Sequence, residues 1–325
     1  MRTWWVNHNQ TFRQEFEGKY IWCPKRKADG RLSHFYESVR EVRPGDLIFS
    51  YAKSAVQGFG FATTHCYSCP KPDEFGKLGD AWDERGWRVD VNFRPFSEPL
   101  RTIDHATAIA PHLPKRYSPI REDGQGNQGA YFAKIPENMA IVVAGLADAF
   151  LAHVIRGEMA REGTSDFEVQ LVTIQEWEDL QQERIIQRMD LSTTKRQALV
   201  LARRGQGRFK QNVAEWERAC RITGVTNPAH LIASHIKPWR ESSDEERLSA
   251  GNGLLLTPSI DHLFDRGFIT FDDDGDVVLS PVADQDSLQR MGVETDPPKN
   301  VGSFNSDQKY FLQYHREEIF LKSAS

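Results

Sequence analysis

The chain lacks any apolar run of the roughly 20 residues that a membrane-spanning helix requires. Its opening residues, MRTWWVNHNQ, also lack the basic stretch and apolar core of a secretion leader. The sequence therefore predicts a cytoplasmic protein with no membrane partner. Cysteine is scarce, 4 in 325 residues, with Cys23 and Cys220 isolated, so no disulfide framework is expected. Cys66 and Cys69 do form a C-x-x-C pair, but no second pair follows at zinc-finger spacing, and structural zinc is not expected. Internal repeats and low-complexity tracts are missing too. What is present, 39% hydrophobic and 27% charged residues over a length beyond one usual domain, predicts two globular domains with separate cores.

The net charge of −5 lacks the basic excess of a typical nucleic-acid binder, but the total conceals an uneven distribution. From Arg184 to Arg240 there are 12 Lys/Arg against 3 Asp/Glu, and from Glu241 to Ser325 there are 7 against 17. A basic stretch directly ahead of an acidic one is the footprint of a phosphate-contacting face, and equally of a solvated helical surface.

Residues 1 to about 155 read as a mixed, mostly β domain. WWVNH, KYIWCP, GDLIFSY, GFGFATT and WRVDVNF are short β-prone runs between Gly, Pro and charged punctuation. In the last, Trp87, Val89, Val91 and Phe93 share one face and Arg88, Asp90 and Asn92 the other, as a half-buried strand requires. The stretch Arg116 to Gly129 is too polar and Gly-rich for an element and predicts a long exposed loop, of the kind that is often functional. A helix is expected from Pro136 to about Gly157, and residues 156–193 read as a helical connector, with helical spacing over Thr173 to Met189. Residues 194–325 form the second domain, opening with basic helical stretches around Thr194–Arg204 and Arg208–Ala219.

Chemistry concentrates between Ala229 and Phe271. The apolar run Leu231 to Ile236 contains His235; an acidic loop follows, then Asn252-Gly253 and the run Leu254 to Leu256, a hairpin pattern with a long connection. Thr257-Pro258 opens a helix over Ser259 to Arg266 that carries His262 and stops at Gly267. The order is strand, strand, helix, with one His, one Asn and one His upon them. The segments Ala233-Ser234-His235-Ile236-Lys237-Pro238-Trp239, Asn252-Gly253-Leu254-Leu255-Leu256 and His262-Leu263-Phe264-Asp265-Arg266-Gly267 resemble the HNH, or ββα-metal, nucleases.

That resemblance implies phosphodiester hydrolysis with His235 as general base, Asn252 pinning the loop that orients it, and His262 holding one divalent cation, Mg²⁺ or Mn²⁺, per site. Many such nucleases place Asp or His immediately before the base as a second ligand; Ser234 stands here, so that ligand is Ser234, water, Asp261 or Asp265. Arg203, Arg204, Gln206, Lys210, Lys237 and Arg266 are the expected DNA contacts on this side.

Trp4-Trp5-Val6-Asn7, Tyr20-Ile21-Trp22-Cys23-Pro24, Pro44-Gly45-Asp46-Leu47-Ile48-Phe49-Ser50-Tyr51 and Gly86-Trp87-Arg88-Val89 resemble the EVE domain of the PUA-like superfamily, a mixed β-barrel related to readers of modified bases. The fold class is thus α+β. The fusion implies a restriction endonuclease acting on double-stranded DNA that carries 5-methylcytosine or 5-hydroxymethylcytosine, the base being flipped into an aromatic pocket. Trp22 and Tyr51 are the expected cage and Asn7 the edge reader, with Gln125 and Gln128 filling the vacated stack. A homodimer is expected because one site cuts one strand. A non-catalytic reader of modified nucleic acid and an HNH nuclease acting on RNA are the rival readings.

Overall fold

A computed structural model of the chain describes residues 1–80, 82–148, 151, 155, 178–179, 181–203 and 207–323. The chain divides into two compact units, Met1–Val172 and Thr173–Lys322. Most of the expected connector, residues 156–177, lies outside the described residues. Its remaining portion packs into the second unit, where Ile185, Leu191, Leu199 and Ala202 share one core with the nuclease-motif residues.

The first unit is built on seven strands: β1 (Thr3–Asn7), β2 (Tyr20–Pro24), β3 (Leu47–Ala52), β4 (Ala55–Ala62), β5 (Tyr67–Pro70), β6 (Arg85–Leu100) and β7 (Phe132–Lys134). They form one sheet in the order β2-β6-β4-β3-β1-β7, with β5 also on β6. Only β1 and β3 run parallel among these pairs. The five β-prone runs of the sequence fall on β1, β2, β3, β4 and β6. Strand β6 is long enough to serve two neighbourhoods, pairing Gly86–Asp90 with β2 and most of its later half with β4. The sheet therefore curls as a half-barrel; among the described residues no pairing joins β7 to β2 to close it. The helix Glu137–Ala147, shorter than its apolar composition predicts, lays Met139, Ala140, Val143 and Ala144 against Trp5, Leu47, Phe49 and Phe59.

Trp87, Val89, Val91 and Phe93 are buried as their alternation requires. The opposite face of β6 is covered at Asp90, half-covered at Arg88 and open at Asn92. Asp90 is 4% exposed and receives hydrogen bonds from Tyr67 Oη and Arg88 Nε, so a polar network rather than solvent meets that face at Asp90.

In the second unit β8 (Ile232–His235) and β9 (Gly253–Leu256) form the antiparallel hairpin, and the helix Pro258–Asp265 follows. This helix stops as its sequence dictates. Gly267 adopts φ +72°, its N–H reaches the Phe264 carbonyl, and Phe268 N–H reaches that of Leu263, a Schellman closure. A second hairpin, β10 (Ile269–Phe271) and β11 (Val277–Leu279), and the helix Ser306–Glu318, opened by the Asn305/Gln308 capping box, complete the core. No helix among the described residues is long and apolar enough to cross a membrane.

Candidate functional site

The hairpin connection from Ile236 to Asn252 is fastened by one side chain. Asn252 is fully buried; its Nδ2 donates to the carbonyls of Lys237 and Glu246 and meets Ser242 Oγ, while its Oδ1 accepts from Lys237 N–H. Both N–H donors and the carbonyl oxygen of the amide are thus engaged within the loop. Arg247 ties the same loop internally, with its guanidinium 4.3 Å over Trp239 and bonded to the Trp239 carbonyl and Asp244.

His235 ends β8 against this loop. Its ring lies flat on Phe209, centroids 3.9 Å and planes 7° apart, and its Nε2 is 3.0 Å from the Arg247 carbonyl oxygen. A carbonyl only accepts, so Nε2 carries the proton and Nδ1 is left as the basic nitrogen. Burial pushes the His235 pKa down to about 4, which keeps the imidazole neutral at physiological pH.

On the helix, burial pushes the Asp261 carboxyl up to about 6, with the Ser234 side chain acting in the opposite sense. Asp265, one turn on, would be raised by burial, but Arg240, Arg266 and His315 hold it below the usual carboxylate range. Arg240 Nη1 lies 3.6 Å from it and Arg266 Nε 3.9 Å. His262 is half-buried, with its pKa lowered by that burial and by Arg266. The charge of Asp265 is felt at His235, Asp261 and His262 alike, which places all four groups in one electrostatic neighbourhood.

Of the helical groups, Asp261 is the one whose carboxyl feels Ser234 in β8. A residue advances about 100° per step, so Asp261 and Asp265 share a face and His262 shares another with Arg266. The sequence put the cation on His262 and Ser234 and left Asp261 and Asp265 among the alternatives; the influence of Ser234 on Asp261 makes the Asp261 face a candidate beside His262. A signal for this was available. The buried stripe Ile260, Leu263 and Phe264 sets the helix roll, and Asp261 lies nearer that stripe than His262 does.

The expected DNA contacts fare differently. Arg203 is ion-paired to Glu178 and Asp179, and Lys210 Nζ donates to the carbonyls of Pro228 and Leu231. Lys237 pairs with Glu246 and sits over Tyr314, and Arg266 is largely buried beside Asp265. These four cationic groups each have partners within the second unit in the free protein, from which a phosphate would have to draw them. Arg204 and Gln206 lie outside the described residues.

In the first unit Asn7, Tyr51, Gln125 and Gln128 line one cavity of about 520 Å³, shared with Asn9, Lys53 and Arg101. Trp22 is not among its walls. It is 1% exposed, packed between Phe75 and Trp82, and Nε1 donates to the Cys69 carbonyl, so the expected cage residue is a core residue. Its strand end looked like a pocket wall, yet β2 is buried along its whole length.

The cavity wall is set rigidly from behind. His8, between Asn7 and Asn9, bonds Glu15 through Nδ1 and Ser50 Oγ through Nε2, all three fully buried; Glu15 also receives Tyr131 Oη, and the Tyr131 carbonyl receives Asn7 N–H. The Asn7 amide accepts from Trp5 Nε1 and donates to the Pro119 carbonyl. The polar loop opposite is ordered by its own bonds, Arg121 with Gln125 and Asn127 with Ser118 and Pro119.

Comparison with known proteins matches residues 220–272 to the HNH endonuclease family. No curated protein matches the chain. Among solved structures, a Pseudomonas putida protein is 15% identical over 44% of this chain and 98% of its own (TM-score 0.31). ASCH from Zymomonas mobilis is 11% identical over 45% and 96% (TM-score 0.28). A Leishmania major protein is 9% identical over 49% and 96% (TM-score 0.29). Residues 220–272, which hold His235, Asn252, Asp261 and His262, are an HNH endonuclease domain.

Proposed function

We propose that the protein is a modification-dependent DNA endonuclease, with hydrolysis in the second unit and reading of a flipped, C5-modified cytosine in the cavity of the first. The observation that carries the hydrolytic half is the His235 ring: neutral, fixed by Phe209 and the Arg247 carbonyl, with Nδ1 available to take a proton from the attacking water.

A divalent cation fits beside it. Asp261 is a half-buried carboxylate whose pKa is raised mainly by desolvation, and with the Ser234 hydroxyl it offers hard oxygen donors suited to Mg²⁺ or Mn²⁺. Among the described residues no cluster of three or more His, Cys, Asp or Glu could enclose a metal. A cation here therefore draws on few protein ligands, Asp261, Ser234 and His262, and completes its shell with water and the scissile phosphate. When bound it supplies stabilisation of the charge developing on the phosphoryl and leaving oxygens. The protein's own part is to hold the base in place through Asn252 and to keep Asp265 ionised with Arg240, so that Asp261 is the carboxylate left for the cation beside Ser234 and His262.

Double-strand cleavage needs two such sites, and a homodimer on double-stranded DNA supplies them. For reading, the cavity offers a planar ring, Tyr51, and several amides, the combination that holds a base by stacking and edge contacts.

Digestion of matched plasmids, unmodified, methylated and hydroxymethylated, by wild type and His235→Ala with Mg²⁺ or Mn²⁺ tests both halves. Cutting of modified DNA by wild type alone is expected. Equal cutting of all three removes the modification requirement, and undiminished cutting by His235→Ala removes the base assignment.

A further inference from the structure

The mouth of the cavity in the first unit has a chemistry distinct from its interior. No Asp or Glu is among its lining residues, while two cations, Lys53 and Arg101, stand on it. They come from adjacent elements: Lys53 is in the turn between β3 and β4, and Arg101 directly follows Leu100 of β6, the register partner of Val56 in β4.

The turn itself is unusual. Ala52 pairs with Ala55, so Lys53 and Ser54 form a two-residue hairpin loop, and both are left-handed, at φ +53° and +61°. Such loops favour Asn-Gly, because a Cβ is strained there. Strained non-glycine residues persist where the surroundings impose them, and they concentrate at ligand sites. Here the Lys53 N–H is fixed to Asn9 Oδ1, so the strained turn is held against a cavity wall. Both side chains are available to a ligand. Lys53 is exposed, with its ammonium 5.5 Å from the Phe12 ring centroid, and Arg101 has an exposed pair with Asp104 at 3.5 Å, of the kind that contributes little.

A lining of one aromatic ring and amides takes an uncharged planar group; two exposed cations, of which Arg101 has a solvent-exposed partner in Asp104, take an anion. A nucleotide in a strand joins the two within a single residue's reach. We propose that Lys53 and Arg101 form a phosphate clamp that holds the backbone flanking the nucleotide whose base enters this cavity. The clamp rests on the base-reading function proposed above, but its signature is electrostatic and separable from it.

Fluorescence anisotropy of the full-length protein on labelled duplexes with one 5-methylcytosine or none, in chelator over a salt series, tests it. Lys53→Ala/Arg101→Ala is expected to weaken binding of the modified duplex about 10-fold or more and to reduce the slope of log K against log salt by roughly 2, about 0.9 per lost phosphate contact. A second variant, Lys53→Asn/Ser54→Gly, relieves the turn, so it should raise Tm while still losing affinity, an outcome no purely structural role produces. Unchanged affinity and slope in the double-alanine variant, with wild type still preferring modified DNA, overturns the clamp and leaves base reading intact. Wild type without any preference overturns base reading, and the clamp then stands or falls on the slope alone.

Discussion

The His235 imidazole lies face to face with Phe209, 3.9 Å between centroids and 7° between planes, while the Arg247 carbonyl holds its far nitrogen. Phe209 belongs to the helix Gly207–Trp216 and is fully buried, so a residue well upstream of the hairpin fixes the plane in which the base acts. Replacing it with Leu removes the flat surface but keeps most of the apolar volume. Phe209→Leu is expected to lower kcat about 10-fold through misorientation, with DNA affinity unchanged and a stability loss of about 1–2 kcal/mol. NMR titration should also show the His235 pKa rising toward the ordinary histidine value as water gains access. A variant with wild-type kcat and an unmoved titration would show that the stack is incidental.

Asn252 presents a different dependency, because its amide both donates and accepts within the loop. Asn252→Asp preserves shape but replaces donors with a negative oxygen facing the Lys237 and Glu246 carbonyls. A cost of about 3–5 kcal/mol is expected from several buried groups left unpaired. Limited proteolysis should then cut between Lys237 and Asn252. A melting temperature within a degree of wild type would refute the pinning role.

Asp261 links pH, stability and cation binding. Its folded pKa of about 6 lies above the unfolded value of 3.8, so the folded state retains the proton longer. Stability attached to the protonated form is complete below about pH 4 and is lost as pH rises through 6; the two-unit difference corresponds to about 3 kcal/mol. Asp261→Asn should therefore melt higher than wild type above pH 6, with the difference fading below pH 4, and should not cleave DNA. Saturating Mn²⁺ should raise the Tm of wild type and leave Asp261→Asn unmoved. Equal Mn²⁺ responses would be fatal to the ligand assignment.

The contrast between Asp261 and His262 shows what the sequence made legible. Strand order, the helix stop at Gly267 and the positions of His235 and Asn252 follow from local patterning, because apolar runs and a left-handed glycine act over a few residues. Which of two adjacent helical residues turns toward β8 depends on helix roll, a tertiary quantity that only the buried stripe Ile260, Leu263 and Phe264 encodes. The same limit separates Tyr51 from Trp22. Both are aromatic and both sit on strands, yet Phe75 and Trp82 cover one and a cavity opens beside the other. The partners of Lys210 and Arg203 were not legible for a related reason: charge counts register cations without the carbonyls and carboxylates beside them.

Gly126 offers the sharpest test of the cavity's shape. Its backbone lies against Tyr51, and a Cβ there would stand 3.0 Å from Cε1 of that ring, too close without a shift of a few tenths of an ångström. Its φ is not left-handed, so a side chain adds crowding without backbone strain. Tyr51 is itself packed on Trp5, ring centroids 5.4 Å apart, and has little room to retreat; the added carbon narrows the cavity instead. Gly126→Ala should thus reduce the preference for modified over unmodified DNA, and Gly126→Val should reduce it about 10-fold or more, at an overpacking cost of about 1–3 kcal/mol. Cleavage of unmodified DNA should not change, since His235 and Asn252 belong to the other unit. If Gly126→Val discriminates between the two duplexes as wild type does, the base is read somewhere other than beside Tyr51.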